Sequence, residues 1–416
     1  MTTRRSFIQN LFFSAISAGS NVFALLLLMY AAHVLSLPQM GVLGVAFAFA
    51  AIGEPLMDFG VHQASIRHIA LDRSSAGNIL ANSLPMKAIS GLAMLVVLSG
   101  IALWRYPDAA PAAILMLISA AIRSYLLTIR GVLQGLEQFG HDAAVMLADR
   151  VLLLAGGVLA LWLGFGVNGV ALSFVVSRGV AFAIALRLTR PHVGDLRIGF
   201  DYPLWRELRD QALPLGLFMM VLNVYNYVDV LLLAALATSE SQVGLYHNAY
   251  RIYEALTMAS AILVSVLTPR FAALWASDRH AHAQLARRGL AASVLLGVAI
   301  SPIAWVLAPT VLSMIFGANY AQGMWALRIL SLGLGLIFAI WVLHALAMST
   351  FNSRLLIRTT LVSLVANVGL NLLLIPRWQR DGAAAATILS EAVGVAMLVW
   401  GLRGVLFHRP TAADAR

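Results

Sequence analysis

The sequence predicts an all-α membrane protein with about twelve transmembrane helices in two related halves. Three observations support this prediction. Of the 416 residues, 61% are hydrophobic and only 11% are charged, whereas soluble domains are roughly 45–50% apolar and about 25% charged. Many apolar runs reach about 20 residues, the helix length that a ~30 Å hydrocarbon core requires. The polar residues that interrupt these runs recur in the second half of the chain.

The apolar runs are continuous rather than alternating. Only helices and closed barrels satisfy their backbone hydrogen bonds in lipid, and continuous runs favour helices. The chain has no cysteine, which excludes disulfides and thiolate metal sites. No P-loop, GxSxG or HExxH pattern occurs, so ATP-driven transport by this chain alone is not expected. His280 and His282 have no acidic third ligand nearby, so no metal site is expected.

The loop charges orient the predicted spans. With the N-terminus in the cytoplasm, eighteen arginines lie in inner segments and three in outer ones, as the positive-inside rule requires. The N-terminal apolar run is too long for a signal peptide and is interpreted as a retained helix. The net charge of +10 is therefore assigned to cytoplasmic loops rather than to nucleic-acid binding. The predicted spans are 10–35, 41–65, 84–104, 112–130, 143–163, 168–188, 214–236, 244–268, 289–312, 323–349, 355–375 and 382–402.

A basic cytoplasmic linker divides six spans from six. The predicted domains are an N-terminal lobe at 1–189, the linker at 190–212 and a C-terminal lobe at 213–416. The last part of the linker, 205–211, is amphipathic and is expected to lie as a short interfacial helix. All outer loops are short, so no extracytoplasmic domain is expected.

The two halves share a frame of small and basic residues. The stretches 41–67 and 244–270 both run from glycine to arginine over the same spacing, with alanines at matching offsets. Glu54 and Asp58 of the first stretch have no counterpart, because a threonine and an alanine stand at those offsets. The shared frame predicts a common fold, and the unmatched charges indicate divergence.

A second repeat opens the last span of each half. Gly169 follows residues 167–168, and Gly382 follows Asp381. Arg178 and Glu391 stand at the same distance after these two glycines. The halves therefore run in parallel, so their symmetry axis lies along the membrane normal. This predicts two pseudo-symmetric six-helix lobes around a central cavity, with Arg178 and Glu391 distinguishing the environments of the two lobes.

With these residues in view, the chain resembles the polysaccharide-biosynthesis flippases of the multidrug/oligosaccharidyl-lipid/polysaccharide exporter superfamily. The resemblance covers nearly the whole chain and depends on the order of several polar positions. Arg123 and Arg130 in span four, and the charged outer turn 377–381, depart from the pattern and leave the substrate open. The matching elements are Pro214, Asp229, Gly244, Tyr246 and Ala249; Gly41, Asp58, Phe59, Gly60, Arg67 and Ala70; and Asn367, Asn371, Ile375, Pro376 and 382–391.

The resemblance implies a transporter and not an enzyme. Its expected substrate is an oligosaccharide on undecaprenyl diphosphate, flipped to the outer leaflet by alternating access for surface polysaccharide such as O-antigen, capsule or exopolysaccharide. Its expected location is the bacterial cytoplasmic (inner) membrane, with both termini in the cytoplasm. Membrane lipid, a polysaccharide polymerase and chain-length machinery are the expected partners, and no cofactor is expected beyond a coupling ion.

Arginines inside the spans are the candidate substrate-binding residues. Buried ionisable groups in a membrane are costly and are functional by default, and a guanidinium matches the charge and geometry of a diphosphate. The alternative is ion pairing within the membrane, and Arg251 with Glu254 has the i,i+3 spacing for it. The candidates are Arg123, Arg150, Arg178, Arg251 and Arg328.

Acids inside the spans are the candidates for ion coupling or gating. Glu54 and Asp58 share a helix face, and paired carboxylates can carry H⁺ or bind Na⁺. The alternative is that Asp58 hydrogen-bonds a helix kink or an arginine of another span. Six acids lie inside the spans; Asp149 is one, and the candidates are the other five: Glu54, Asp58, Asp229, Glu254 and Glu391.

Three other functions stay open. A multidrug cation antiporter shares the predicted architecture, but its site should favour acids over arginines. A membrane glycan polymerase or ligase should present a large outer loop, which this chain lacks. A lipid II flippase is expected to have two further spans.

Overall fold

The computed structural model describes residues 13, 19–194, 198–350 and 352–407. Within these residues the chain is helical and contains no β-strand. It divides into two compact units, Met1–Asn223, called the N unit, and Val224–Arg416, called the C unit. Arg4, Arg5, Arg197, Arg409 and Arg416, which contribute to the predicted orientation, lie outside the described residues.

The N unit is built around one central helix. Its helices are α1 (Asn21–Val34), α2 (Leu37–Asp58), α3 (Val61–Leu71), α4 (Ala76–Arg105), α5 (Ala110–Gly135), α6 (Phe139–Trp162), α7 (Gly166–Val193) and α8 (Tyr202–Leu236), which continues into the C unit. The central helix is α5, which packs against α2, α3, α4 and α7, while α6 packs against α7 and α1. Buried alanines and serines along α5 permit this close packing.

The C unit is also built around a central apolar helix. The helices of the C unit are α9 (Glu240–Ser277), α10 (Arg279–Phe316), α11 (Met324–Leu332), α12 (Leu334–Ser349), α13 (Ser353–Gly401) and α14 (Arg403–Leu406). The central helix is α12, which packs against α9, α10 and α13. It is joined to α11 through a 48° bend at Gly333.

The described helices fit the predicted all-α fold with about twelve spans. Nine are long and apolar enough to cross a membrane, and the bent pair at α11 and α12 makes ten. The 49-residue helix α13 has a non-helical residue, Gln379, between predicted spans eleven and twelve. The first predicted span, 10–35, corresponds to the shorter α1, and its beginning lies outside the described residues apart from Phe13, Gly19 and Ser20.

The predicted second span, 41–65, is broken rather than continuous. It consists of α2 and α3, separated by Phe59 and Gly60, whose φ angles are 52° and 78°. A Cβ on Gly60 would lie 2.8 Å from the carbonyl oxygen of Ala212, so only glycine fits both the positive φ and this close approach. The Gly60 N–H donates to Asp58 Oδ2 at 3.1 Å, which holds the break in place.

The linker does not form the separate interfacial helix that its amphipathic pattern predicts. Residues 205–211 are part of α8. Leu208 and Ala212, with Leu204 beside them, pack against Ala64 of α3. The apolar face therefore meets protein rather than the membrane interface, and this part of the chain is fixed to the N unit.

The stretch before α8 is also fixed to the N unit. The Asp201 N–H donates to Asn82 Oδ1 at 2.7 Å, and the Gly199 N–H donates to the carbonyl oxygen of Ala81 at 3.1 Å. Both acceptors belong to α4. The chain thus enters α8 from a defined position on the N unit.

Candidate functional site

The first of two polar clusters lies in the N unit and contains three of the five predicted arginines. Arg123 of α5 pairs with Glu54 of α2, with 2.8 Å between Nε and Oε2. Both side chains are one quarter exposed. Glu54 therefore has its own cation and does not stand with Asp58 as an isolated pair of carboxylates.

Arg178 of α7 is buried beside neutral groups. Its Nη1 donates to the hydroxyl oxygen of Ser119 at 2.8 Å, and its guanidinium lies 5.3 Å from the ring centroid of Phe174. No carboxylate pairs with it among the described residues, and its Nε has no hydrogen-bond partner there. A buried guanidinium with an unused N–H can donate to an anionic ligand.

Asp149 and Arg150 complete this cluster from α6. Both are buried, and as neighbours in the chain they do not form an ion pair; Asp149 Oδ1 and Arg150 Nε have no hydrogen-bond partner in the described structure. Electrostatic interactions link them to Arg123 and Arg178, and link Arg150 to the Glu54 carboxylate. We call these five residues the arginine cluster. Three guanidinium groups against two carboxylates leave it with one excess positive charge.

The partner of Asp58 is a residue that was not predicted from the sequence. Lys87 of α4, the one lysine of the chain, is 1% exposed and donates from Nζ to Asp58 Oδ1. Nζ also donates to the carbonyl oxygen of Ser124 and to Thr128 Oγ1, each at 2.6 Å. A single lysine inside a predicted span, 84–104, was the available signal. The expected alternative for Asp58, a bond to a helix kink, is confirmed by its contact with Gly60.

Arg130 has a different environment from the cluster arginines. It forms a bidentate ion pair with Asp142, at 2.6 and 3.1 Å, and the Gln134 side chain donates to the same carboxylate at 3.1 Å. Its guanidinium is engaged by a carboxylate on the neighbouring helix. This pair joins the ends of α5 and α6 and is structural.

The second polar cluster lies in the C unit and centres on Asp229 of α8. Its Oδ2 accepts from the Thr387 hydroxyl at 2.6 Å and from the Tyr246 phenol at 2.9 Å. The Asn367 side chain, from the same cluster, donates to the hydroxyl oxygen of Ser390 at 3.3 Å. Oδ1 has no partner in the described structure. The carboxylate is buried, and no cationic side chain of the described chain pairs with it.

Glu391 of α13 is the second carboxylate of this cluster. Both of its oxygens lie within 3.0 Å of the Tyr253 phenol oxygen, which donates to them. Like Asp229, it is buried and has no cationic partner among the described side chains. A Cβ on Gly333, at the bend between α11 and α12, would lie 3.2 Å from Glu391 Oε2.

Tyrosines and amides surround the two carboxylates. Tyr246, Tyr250 and Tyr253 follow one face of α9, with ring centroids 5.9 and 5.8 Å apart. The Asn371 side chain donates to Asn367 Oδ1 at 2.9 Å. The i, i+4, i+7 spacing of these tyrosines was a sequence signal for a shared face, although only Tyr246 had been singled out. We call Asp229, Glu391 and these surrounding side chains the acidic cluster.

The remaining candidates of the C unit are engaged with neighbours. The predicted pairing of Arg251 with Glu254 is confirmed, with 2.8 Å between Nη1 and Oε2, and the Tyr227 phenol donates to Glu254 at 3.3 Å. Arg328 donates from Nε to the carbonyl oxygen of Trp305 at 3.1 Å. Its guanidinium also lies 4.9 Å from the ring centroid of Trp325.

The two clusters have different chemical capacities. The arginine cluster has excess positive charge and unused guanidinium N–H groups, which suit an anion. The acidic cluster offers a free carboxylate oxygen beside a hydroxyl and side-chain amides, which suit a hard monovalent cation or a proton.

Comparison with known proteins identifies relatives over about two thirds of the chain in each case. Residues 7–275 match the family model described as "Polysaccharide biosynthesis protein", and residues 144–409 match the one described as "Lipid II flippase MurJ". A "Probable low-salt glycan biosynthesis flippase Agl15" of Haloferax volcanii is 24% identical over 274 residues, 64% of this chain. That match spans only 56% of the relative's length.

Solved structures share the fold at low sequence identity. An inward-facing multidrug resistance MATE transporter of the MOP superfamily has a TM-score of 0.76 at 17% identity, over 93% of this chain and 94% of that one. MurJ in an inward closed conformation has a TM-score of 0.71 at 11% identity, over 94% and 87% of the two chains. A MOP superfamily transporter from Pyrococcus furiosus has a TM-score of 0.68 at 16% identity, over 99% and 96%.

Each of the two family models matches more than half of the chain, and the two matches overlap between residues 144 and 275. The solved relatives cover nearly all of it with one fold. The chain therefore belongs to the polysaccharide biosynthesis protein family and shares with MurJ the fold of the MOP superfamily.

Proposed function

We propose that this protein flips a polyprenyl-diphosphate-linked oligosaccharide from the cytoplasmic to the outer leaflet of the bacterial inner membrane. The arginine cluster carries the proposal. It places Arg150 and Arg178, with N–H groups that lack partners in the described structure, inside a membrane-embedded unit. An excess guanidinium charge in a poorly solvated site favours a phosphate-bearing substrate over a cationic one. The family supports the same class of substrate.

Transport would proceed by alternating access of two lobes, 1–189 and 213–416, joined by the linker 190–212. The diphosphate and glycan would enter a polar path from the cytoplasm, while the polyprenyl chain stays in lipid. Guanidinium groups would replace the hydration of the diphosphate, because charge-assisted hydrogen bonds to oxyanions are strong in a low dielectric. Release outside would follow when the lobes change their orientation.

The acidic cluster would supply the coupling. Asp229 has one carboxylate oxygen, Oδ1, without a hydrogen-bond partner in the described structure, while its Oδ2 accepts from Thr387 and Tyr246; such a carboxylate can take Na⁺ or H⁺. A cation bound there would neutralise a buried charge and so change the relative stability of two conformations. Glu391 would act beside it as a second carboxylate.

The second candidate is a cation-coupled multidrug antiporter. The observation that favours it is the acidic cluster, whose two carboxylates have no cationic partner among the described side chains. The multidrug transporter with a TM-score of 0.76 supports the fold alone, because its identity is 17%. The arginine cluster weighs against a cationic substrate, since such a substrate would meet excess positive charge in the N unit.

The glycan structure would be set by further polar contacts. An undecaprenyl carrier, a surface polysaccharide such as O-antigen, and a polymerase with chain-length machinery downstream complete the proposed setting. Both termini would lie in the cytoplasm, and the chain would act as a transporter and not as an enzyme.

The test is headgroup translocation in proteoliposomes. Purified protein is reconstituted with a polyprenyl-diphosphate glycan, and headgroup accessibility is followed with no gradient, with a Na⁺ or H⁺ gradient, and with a membrane potential. We expect translocation that accelerates under one of these gradients. Absence of translocation under every condition, together with uptake of a cationic dye by the same vesicles, would favour the antiporter.

A further inference from the structure

The interior of the N unit contains a cation site that the chain fills with its own ammonium group. The Lys87 nitrogen contacts the Asp58 carboxylate, the Ser124 carbonyl oxygen and the Thr128 hydroxyl oxygen. An ammonium group has three donors and no acceptor, so each N–H has one oxygen. These oxygens come from α2 and α5, whereas the nitrogen comes from α4.

This set of oxygens is what a small monovalent cation requires. Carboxylate, carbonyl and hydroxyl oxygens are the ligands of hard cations, and the set carries a single negative charge. The site is closed, because Lys87 is 1% exposed and the Asp58 side chain 13%. The second carboxylate whose charge acts on this ammonium, Glu54, is engaged by Arg123.

The oxygens cannot satisfy one another if the ammonium is absent. Thr128 already donates towards the Ser124 carbonyl oxygen at 3.3 Å, and the Gly60 N–H is the other donor to Asp58. A buried carboxylate that loses its cation is strongly destabilising, more so than loss of the whole pair. The site therefore needs a cation at all times, at the point where α2 ends.

We propose that the Lys87 ammonium is a tethered substitute for an exchangeable cation, so that the site binds Na⁺ or a small alkylammonium ion once the lysine side chain is shortened. The contrast with Asp229 supports this. That carboxylate also accepts from hydroxyl groups, those of Thr387 and Tyr246, but no side-chain cation of the described chain pairs with it. The tethered cation would be present whichever substrate the chain carries. Because it cannot dissociate, only the C unit would exchange ions with the solvent.

The test is cation rescue of Lys87→Ala in the purified full chain. Unfolding is followed by tryptophan fluorescence in buffers of constant ionic strength based on N-methylglucamine. The parent carries Asp229→Asn, so that the Asp229 carboxylate does not respond, and any response of Glu391 is shared by parent and variant. We expect Lys87→Ala to melt several degrees below the parent and n-propylammonium, which matches the removed atoms, to raise its melting temperature with saturation. Na⁺ should act in the same direction, and neutral n-propanol should not.

Two further variants separate a cation site from general loss of packing. Asp58→Asn combined with Lys87→Ala removes the charge that attracts the cation, so the response to n-propylammonium should disappear. Lys87→Met removes the ammonium group but retains side-chain volume, and Asp58→Asn then removes the unpaired charge. The double variant should therefore have a higher melting temperature than Lys87→Met alone. This comparison remains measurable if the alanine variant does not fold. An equal response to n-propylammonium in parent and Lys87→Ala, no response in either, or a double variant less stable than Lys87→Met would overturn the proposal.

Discussion

The N unit and the C unit place opposite charges in buried polar clusters. In the N unit, guanidinium groups outnumber carboxylates in the arginine cluster, and the further carboxylate, Asp58, is neutralised by Lys87. In the C unit, Asp229 and Glu391 accept hydrogen bonds from phenols and a threonine hydroxyl, with no cationic partner in the described part of the chain. A shared architecture thus supports two different electrostatic environments.

The two halves of the sequence repeat preserve the positions of some residues and differ in the charge of others. The glycine-to-arginine frame of 41–67 and 244–270 recurs in both halves, whereas Arg178 and Glu391 occupy equivalent positions with opposite charge. Both charged residues are buried and each contacts a hydroxyl-bearing side chain of its own unit. The repeated frame is consistent with a structural role, and the divergent charges indicate where anion binding and cation coupling would be divided between the units.

The largest effect is expected from removing the two cluster arginines that have unpartnered N–H groups. Arg150→Gln with Arg178→Gln should slow glycan-diphosphate translocation about 100-fold, because each charge-assisted hydrogen bond contributes about 1.5–3 kcal/mol. Initial rates in proteoliposomes measure this. Arg187→Gln, exposed on the same helix as Arg178, is the matched control and should remain within about twofold of the parent. Retention of the parental rate by the double variant would remove the arginine cluster from the substrate path.

The next effect concerns coupling in the C unit. Asp229→Asn should lower gradient-driven transport about tenfold, a loss that corresponds to about 1.4 kcal/mol, and should abolish the response to the coupling gradient. Rates with and without each gradient measure it. Asp108→Asn, exposed between α4 and α5, is the control. If Asp229→Asn responds to the gradient as the parent does, coupling lies elsewhere.

A smaller effect distinguishes charge from hydrogen bonding at Glu391. Glu391→Gln can still accept from the Tyr253 phenol but cannot carry a negative charge. We expect transport to fall about fivefold, or about 1 kcal/mol, with little change in melting temperature. Tyr253→Phe keeps the charge and removes the donor, so it should lower the melting temperature instead. The reverse pattern would make Glu391 a structural acceptor.

The smallest effect should be a gain in substrate affinity. Glu54→Gln removes a carboxylate that pairs with Arg123, so the cluster gains positive charge. A partly exposed pair is worth about 0.2–1 kcal/mol, and we expect KM to fall about twofold with kcat unchanged. Glu137→Gln, which breaks the exposed pair with Arg73, should not change KM. An increase in KM for Glu54→Gln would show that Arg123 needs its partner to face the substrate.

The sequence predicted the fold well because bilayer thickness fixes helix length. The predicted boundary between spans eleven and twelve contains Gln379, where α13 is broken. A kink beside Asp58 was one of the expected alternatives, but the full break between α2 and α3 was not predicted, because a positive φ at phenylalanine has no sequence signature. The linker helix was assigned to the membrane interface, since amphipathicity does not reveal whether lipid or protein covers the apolar face.

The residue types of the candidate site could be predicted from the sequence more fully than the partners of those residues. The i,i+3 pair of Arg251 and Glu254 follows from helix geometry alone. The partner of Asp58 lies 29 positions away on another helix, and packing between helices selects it. The composition nevertheless contained a signal, because Lys87 is the one lysine of the chain and falls inside a predicted span.

The course of α8 determines where the chain can be divided for fragment complementation. The boundary between the units, at Asn223 and Val224, lies inside this uninterrupted helix. A cut there would expose unpaired backbone groups within an apolar helix, at a cost of several kcal/mol for each group in lipid. Two separately expressed pieces should therefore be divided before Tyr202, so that the whole of α8 is synthesised with the C-terminal piece.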